Sequence, residues 1–292
     1  MKQKQIFSFD NSPIQLNIYD DVKNPKGCIQ LIHGMQEHCG RYEHVAKFFN
    51  DNGYIVFTYN QRGHGEEAVK ANMAGRGTND IYSECVKDAI AVSEFISNNY
   101  PYPLIVYGHS FGSLVTQKYI QECHIAKKVI LSGTANGSDA VFGLGRVMTG
   151  LMSIFGKHRP ATLIEKMSFG NYTKQFDDKN WLSRDKKVDD AFKADPLCGI
   201  PFPVSFYRSL FRNLGKLNKN ISKIAKDTQI LIISGARDPL GRNGKGVTKL
   251  HKLMLKRGIN ATIKLYPECR HELHNELNKE EVFNDVLGFI EK

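Results

Sequence analysis

The spacing of apolar positions changes twice along this chain, and those changes divide it into three parts. Residues 5–9 and 14–19 are rich in β-branched and aromatic side chains and are separated by the turn signal Asn11-Ser12-Pro13. They predict an antiparallel hairpin. Short unbroken apolar runs then follow at 28–33, 54–59, 104–107 and 128–132, alternating with helically spaced stretches at 42–50, 79–98 and 113–121. Unbroken runs belong to strands buried on both faces, so the pattern predicts a parallel sheet with helices on either side. From 133 to 226 the alternation fails. That stretch is helical, polar and aromatic, with Trp181, Phe192, Phe202, Phe206, Tyr207 and Phe211. The earlier pattern resumes with strands at 229–234 and 261–266 and helices at 244–257 and 279–290. The predicted organisation is a core from 1–133 and 227–292, carrying eight strands, with 134–226 as a helical cap inserted over the carboxyl edge of the sheet.

Composition leaves this picture standing and removes several function classes. A chain of 292 residues that is 41% hydrophobic and 24% charged suits one globular domain with a large insertion. No run approaches the roughly 18 apolar residues of a membrane span, and residues 1–10 lack a signal-peptide core. A cytoplasmic location is the expectation. Six cysteines lie scattered without metal-ligand spacing and read as free thiols, so no metal is expected. The net charge of +10 invites anionic partners. However, Lys245, Lys249, Lys252 and Lys256 share one face of a helical pattern whose Val247, Leu250 and Met254 point elsewhere, as on any solvated helix. Attraction to a membrane surface is the second reading of that charge. Basic residues are otherwise dispersed and no binding signature is present, which argues against a nucleic-acid partner. No feature fixes an oligomeric state.

The candidate chemistry lies in Gly108-His109-Ser110-Phe111-Gly112, placed between a buried strand and a helix. A chain that turns from strand to helix within a residue or two forces the middle residue into a strained conformation, and flanking glycines remove the side chains that would collide. Gly-x-Ser-x-Gly is unspecific by itself; in this context Ser110 becomes a candidate nucleophile. A serine hydroxyl needs a base, and the base needs an orienting acid. In parallel sheets such groups gather past the carboxyl ends of strands. Asp238 in Ser234-Gly235-Ala236-Arg237-Asp238-Pro239 is the candidate acid, although a turn aspartate beside proline is common for structural reasons. His271, in the loop between the last strand and last helix, is the candidate base; it could equally be a surface histidine, and His274 is its rival. The order Ser, Asp, His at successive strand ends favours Asp238 and His271. The oxyanion formed by attack on an ester needs preorganised N–H donors. Those of Phe111, at the helix start, and Met35, in the His33-Gly34-Met35 loop, are the candidates.

Together, His33-Gly34-Met35-Gln36-Glu37-His38-Cys39-Gly40-Arg41-Tyr42, Asn60-Gln61-Arg62-Gly63-His64-Gly65, the serine turn and residues 266–276 resemble the monoacylglycerol lipase and lysophospholipase group of α/β-hydrolases. Trp181-Leu182-Ser183-Arg184-Asp185 and Asp195-Pro196-Leu197-Cys198-Gly199 are similar to that group's cap. The resemblance implies an α/β-hydrolase fold, the triad Ser110, Asp238 and His271, and an oxyanion hole at Met35 and Phe111. It implies that Glu37 and Arg41 lie near the polar head of the substrate; a buried ion pair fixing the loop is the other reading. His64 and His109 would be structural. Where the group has a cap tyrosine, this chain has Phe192, which lines the same region without a hydroxyl.

The leading expectation is a serine carboxylic-ester hydrolase acting on monoacylglycerols or lysophospholipids through an acyl-enzyme, without metal or organic cofactor. Its activity should rise with pH as His271 deprotonates near 6.5. The apolar stretch 140–155 would line an acyl tunnel, touch a membrane transiently, or form the cap's own core. An aminopeptidase or amidase on the same fold is the alternative, and a catalytically silent binding member a more distant one.

Overall fold

Alternate residues of each central strand go to opposite faces of one sheet, and each face needs a helical cover. In the computed structural model, which describes residues 1–78, 80–137 and 140–292, the sheet contains β1 (Lys2–Phe7), β2 (Pro13–Tyr19), β3 (Gly27–Ile32), β4 (Tyr54–Tyr59), β5 (Leu104–His109), β6 (Lys128–Ser132), β7 (Gln229–Gly235) and β8 (Asn260–Tyr266). Their spatial order is β1-β2-β4-β3-β5-β6-β7-β8. The β1–β2 and β2–β4 pairs are antiparallel and the remaining pairs parallel. This is the eight-stranded, mostly parallel sheet of an α/β-hydrolase.

Helices α1 (Glu43–Asp51), α2 (Gly65–Lys70), α3 (Ile81–Asn99) and α4 (Phe111–Glu122) lie between strands of the first half. The insertion carries α5 (Ala140–Met152), α6 (Thr162–Thr173), α7 (Lys186–Ala194) and α8 (Val204–Leu217), and the chain finishes with α9 (Lys245–Lys256) and α10 (Lys279–Ile290). Ile29, Leu31, Val56, Ile105 and Tyr107 meet Val45 and Phe49 of α1 and Phe283, Val286 and Ile290 of α10. Their neighbours Cys28, Ile32, Phe57, Leu104 and Val106 face α3, α4, α8 and α9. Each fully buried Val, Leu or Ile contributes about 1.5–3 kcal/mol. Those two layers therefore hold the strand ends, and the loops leaving them, in fixed relation.

One sequence expectation changes in detail, one falls on a residue outside the description, and one element is new. The first strand runs from Lys2 to Phe7 rather than over 5–9, because Ser8 N–H bonds Ser12 O and Asn11 adopts φ +62° to reverse the chain. Only Ile6 of that edge strand is buried, so its apolar pattern carries little register information. The predicted helix start at Asn79 lies outside the described residues; the helix is described from Ile81. Helix α2 was not anticipated, since Gly-Glu-Glu-Ala-Val-Lys is short and buries only its glycine. The lysines of α9 face solvent while Val247, Leu250 and Met254 are buried. All six cysteines are free thiols, and no described helix is long and apolar enough to cross a membrane.

Candidate active site

The turn after β5 places Ser110 at φ 51°, ψ −119°, a conformation costly for any residue with a Cβ. Close packing explains the glycines beside it. A Cβ on Gly112 would run into the carbonyl oxygens of Ile32 and His33, and one on Gly108 into Thr116 and the Gly112 carbonyl. Ser110 N–H bonds Ser132 O at 2.9 Å, and its carbonyl accepts from the N–H groups of Ser113 and Leu114, which fixes the turn on both sides.

Loops from two other strand ends reach Ser110. His271 Nε2 lies 2.8 Å from Ser110 Oγ, and His271 Nδ1 lies 2.9 Å from Asp238 Oδ2. The second Asp238 oxygen, Oδ1, accepts from Leu240 N–H at 2.9 Å, and the carboxylate is fully buried. With both carboxylate oxygens engaged, the Nδ1 proton points to Asp238 and Nε2 is left to face the serine. Burial pulls the His271 pKa down, but the Asp238 carboxylate, helped by the charges of Glu272 and Glu37, more than offsets this, so the imidazole titrates above its ordinary 6.5. His274 sits elsewhere. Its ring stacks on Tyr42 at 4.6 Å, neither ring nitrogen has a hydrogen-bond partner among the described residues, and burial holds it well below the usual imidazole range.

The insertion participates directly in this arrangement. The Trp181 ring stacks on His271 with centroids 4.7 Å apart, and the histidine loop bonds the insertion backbone through His271 N–H to Trp181 O and Glu272 N–H to Leu182 O. Arg270 donates to Asp178 and to the carbonyls of Asn180 and Ser183. Sequence reasoning did not assign Trp181 a role at the histidine; its only signal was membership of a cap-like segment.

Beside Ser110, the Phe111 N–H begins α4 and has no partner within the helix, and no acceptor among the described residues takes the Met35 N–H. Gly34 approaches closely enough that a Cβ there would lie 3.3 Å from Ser110 Cβ. Both candidate donors therefore flank the nucleophile.

Glu37 and Arg41 form a buried network that resolves much of their double reading. Glu37 Oε1 accepts from Tyr42 OH at 2.7 Å and from Gly34 N–H, and its Oε2 accepts from Arg41. Arg41 also donates to both oxygens of Glu272 at 2.8 Å and lies 5.0 Å from the Phe192 ring centre. Burial raises Glu37, whereas for Glu272 the forked Arg41 contact overrides burial and holds the carboxyl at about 2. The guanidinium is thus spent on two carboxylates and a ring, and the network's evident work is to fasten the Gly34–Glu37 loop. Removing one partner of a buried ion pair costs about 3–5 kcal/mol. Arg41→Ala should lose that much in urea unfolding at pH 7; a loss under 1 kcal/mol would show that the network does not carry the loop.

Two cavities meet at Ser110. One is bordered by Glu37, Glu272, His109, Phe192 and Leu182. The other is lined by Phe142, Tyr207, Leu210, Phe211, Leu214 and Leu240. Met35, Phe169 and Trp181 border both. Phe142 points inward from α5 while Val141, Leu144, Val147 and Leu151 of the same helix are exposed, so the apolar stretch divides between lining and surface.

A family model described as "Serine aminopeptidase, S33" matches residues 23–278. The chain is 29% identical over 283 residues to a monoacylglycerol lipase of Mycolicibacterium smegmatis, spanning 95% of this chain and 92% of that one. It is 26% identical over 296 residues to a monoglyceride lipase homolog of Monkeypox virus, spanning 100% and 97%. A thermostable carboxyl esterase from Bacillus coagulans, solved with glycerol, superposes with a TM-score of 0.89 over 99% of this chain and 97% of its own at 24% identity, a likeness of fold.

Proposed function

We propose, because the chain belongs to the serine aminopeptidase S33 family of α/β-hydrolases, that it is a serine hydrolase of single-chain lipid esters, monoacylglycerols or lysophospholipids. The observation that carries this reading is the position of Ser110 where a cavity with charged walls joins one walled by apolar side chains. An ester whose carbonyl rests at Ser110 can then send its acyl chain one way and its polar head the other. The relatives named as monoacylglycerol lipases support the same substrate class.

Ser110 Oγ attacks the carbonyl carbon as its proton passes to His271 Nε2. The N–H groups of Met35 and Phe111 receive the oxyanion. The ester C–O bond then breaks, His271 returns the proton to the leaving alcohol, and an acyl-Ser110 remains. Water, deprotonated by His271, attacks that ester; the acyl–Oγ bond then breaks, His271 returns the proton to Ser110 Oγ, and the fatty acid leaves. An aminopeptidase would need a free carboxylate to hold the substrate ammonium. The two acids bordering the polar cavity, Glu37 and Glu272, are both committed to Arg41, which favours the ester reading.

A panel of soluble and lipid esters of graded chain length, with proline amides beside them, tests the proposal. The expected result is kcat/KM for long single-chain acyl esters at least 100-fold above that for amides; equal or better amide turnover would overturn it.

The insertion, proposed as a cap over residues 134–226, also presents a membrane-facing surface in this reading. Val141, Leu144, Val147, Leu151, Ile154 and Phe155 are each more than half exposed on one stretch, with the exposed cations Arg146, Lys157 and Arg159 within it or just after it along the chain. Apolar exposure accompanied by positive charge suits an anionic lipid surface. Ile154→Ser/Phe155→Ser should weaken binding to phosphatidylserine-containing vesicles at least tenfold and leave turnover of a soluble ester unchanged. Vesicle affinity equal to wild type would refute the contact.

A further inference from the structure

Gln36 sits in the left-handed region at φ +57°, where a glycine would rest freely and any other side chain persists only if its surroundings hold it. Those surroundings belong to the insertion. Gln36 Nε2 donates to Glu165 Oε1 of α6 at 2.7 Å, and Gln36 O accepts from Gly199 N–H, after α7, at 2.9 Å. Glu165 Oε1 is itself fixed by Phe202 N–H at 3.0 Å and Tyr207 OH at 2.9 Å. Two residues on, His38 Nε2 lies 2.8 Å from Asp195 Oδ2, a third tie to the insertion.

Met35 therefore stands between two different fastenings. Gly34 is held to the core through Glu37 and Tyr42, whereas Gln36 is held to the insertion through Glu165 and Gly199. We infer that Gln36 is a positioning residue through which seating of the insertion aims the Met35 N–H, so that the oxyanion pocket is complete only when α6 is docked. The inference rests on the ester-hydrolase reading above, since it concerns a donor used in that reaction. Displacing α6 to admit a substrate removes Glu165, and with it the acceptor that holds the Gln36 side chain in place. The chain then has an oxyanion pocket that forms as the insertion closes, and an open enzyme is a poor catalyst.

Glu165 borders neither cavity, so Glu165→Ala tests the idea without touching substrate. On a short soluble ester, with rates referred to active sites titrated by a fluorophosphonate, the expected result is a kcat loss of about tenfold or more with KM within threefold of wild type. Part of the 10²–10³-fold attributed to one oxyanion donor would be lost. Affinity for a trifluoromethyl ketone, whose adduct carries the oxyanion, should fall by the same factor as kcat/KM. Glu165→Gln keeps the acceptor oxygen and should restore wild-type rates. Gln36→Gly removes the side chain while relieving the backbone, so it keeps the fold and should match Glu165→Ala; the double variant should fall no further. A kcat within twofold of wild type in Glu165→Ala or Gln36→Gly, or multiplicative losses in the double variant, would overturn the inference. A wild-type protein that neither labels with fluorophosphonate nor turns over esters would instead overturn the hydrolase reading itself, so the two failures are distinguishable.

Discussion

Replacing Ser110 with alanine should lower kcat for ester hydrolysis by about 10⁶-fold and abolish fluorophosphonate labelling, while the protein remains folded. The size follows from the loss of the nucleophile placed against His271 Nε2, since removing the serine of such a triad costs about that much. Residual activity of about 10³–10⁴ over water would survive from the oxyanion donors and the bound geometry alone. Folding is spared for a specific reason. The strained backbone at position 110 is set by the Ser132 carbonyl and the N–H groups of Ser113 and Leu114, none of which involves Oγ. Alanine inherits the same φ and ψ without a new collision. Urea unfolding and kinetics on one preparation check both halves, and a variant within tenfold of the wild-type rate would remove Ser110 from the reaction.

The second large effect belongs to Asp238. Its Oδ1 accepts from the Leu240 N–H, so an asparagine in this buried slot must direct its carbonyl oxygen there and its NH₂ toward His271. His271 Nδ1 would then accept rather than donate. The ring proton moves to Nε2, the nitrogen that has to take the serine proton, and a loss of about 10⁴-fold in kcat is expected by comparison with other triads. The pH profile gives an independent check. In the wild type, burial lowers the His271 pKa while Asp238, with Glu272 and Glu37 behind it, raises it by more, giving a net position above 6.5. Because neutral imidazole is the active form, kcat/KM should rise with pH through a midpoint above 6.5, higher than composition alone suggests. In Asp238→Asn the nearest raising charge is gone while burial remains, with only Glu272 and Glu37 left to oppose it, so the midpoint should fall relative to wild type. A midpoint that stays in place or moves upward would contradict the assigned pair.

Much of this site was legible because Ser110 and Asp238 lie just beyond unbroken apolar runs and His271 beyond the last strand, Asn260–Tyr266, at the ends where a parallel sheet has to leave its loops. Ser110 carried flanking glycines, and Asp238 and His271 stood beyond β7 and β8. Other parts could not be read from spacing. Arg41 is four residues from Glu37 but 231 from Glu272, and only the folded chain reveals that one guanidinium serves both. Gln36 and Glu165 are 129 residues apart, and the left-handed backbone of Gln36 has no marker in a sequence that shows glutamine where glycine would be the cue. The insertion's helices were foreseen collectively but not singly. Their apolar faces pack on one another and on the loops of the core, as Phe142 and Gly145 of α5 do against Phe211 of α8, so no regular sheet-facing pattern marks their ends. Strand β1 slipped for the opposite reason: pairing to β2 sets its register, and all its side chains but Ile6 face water.

The chain contains one tryptophan, and it is the ring stacked on His271 at the meeting point of both cavities. All indole emission from this protein therefore originates within van der Waals reach of the imidazole. A light signal free of background from other tryptophans should change when that imidazole gains a proton, when an acyl chain enters, and when the segment carrying Trp181 lifts away. The unmodified protein is its own optical probe of turnover, with no label to attach and no residue to replace.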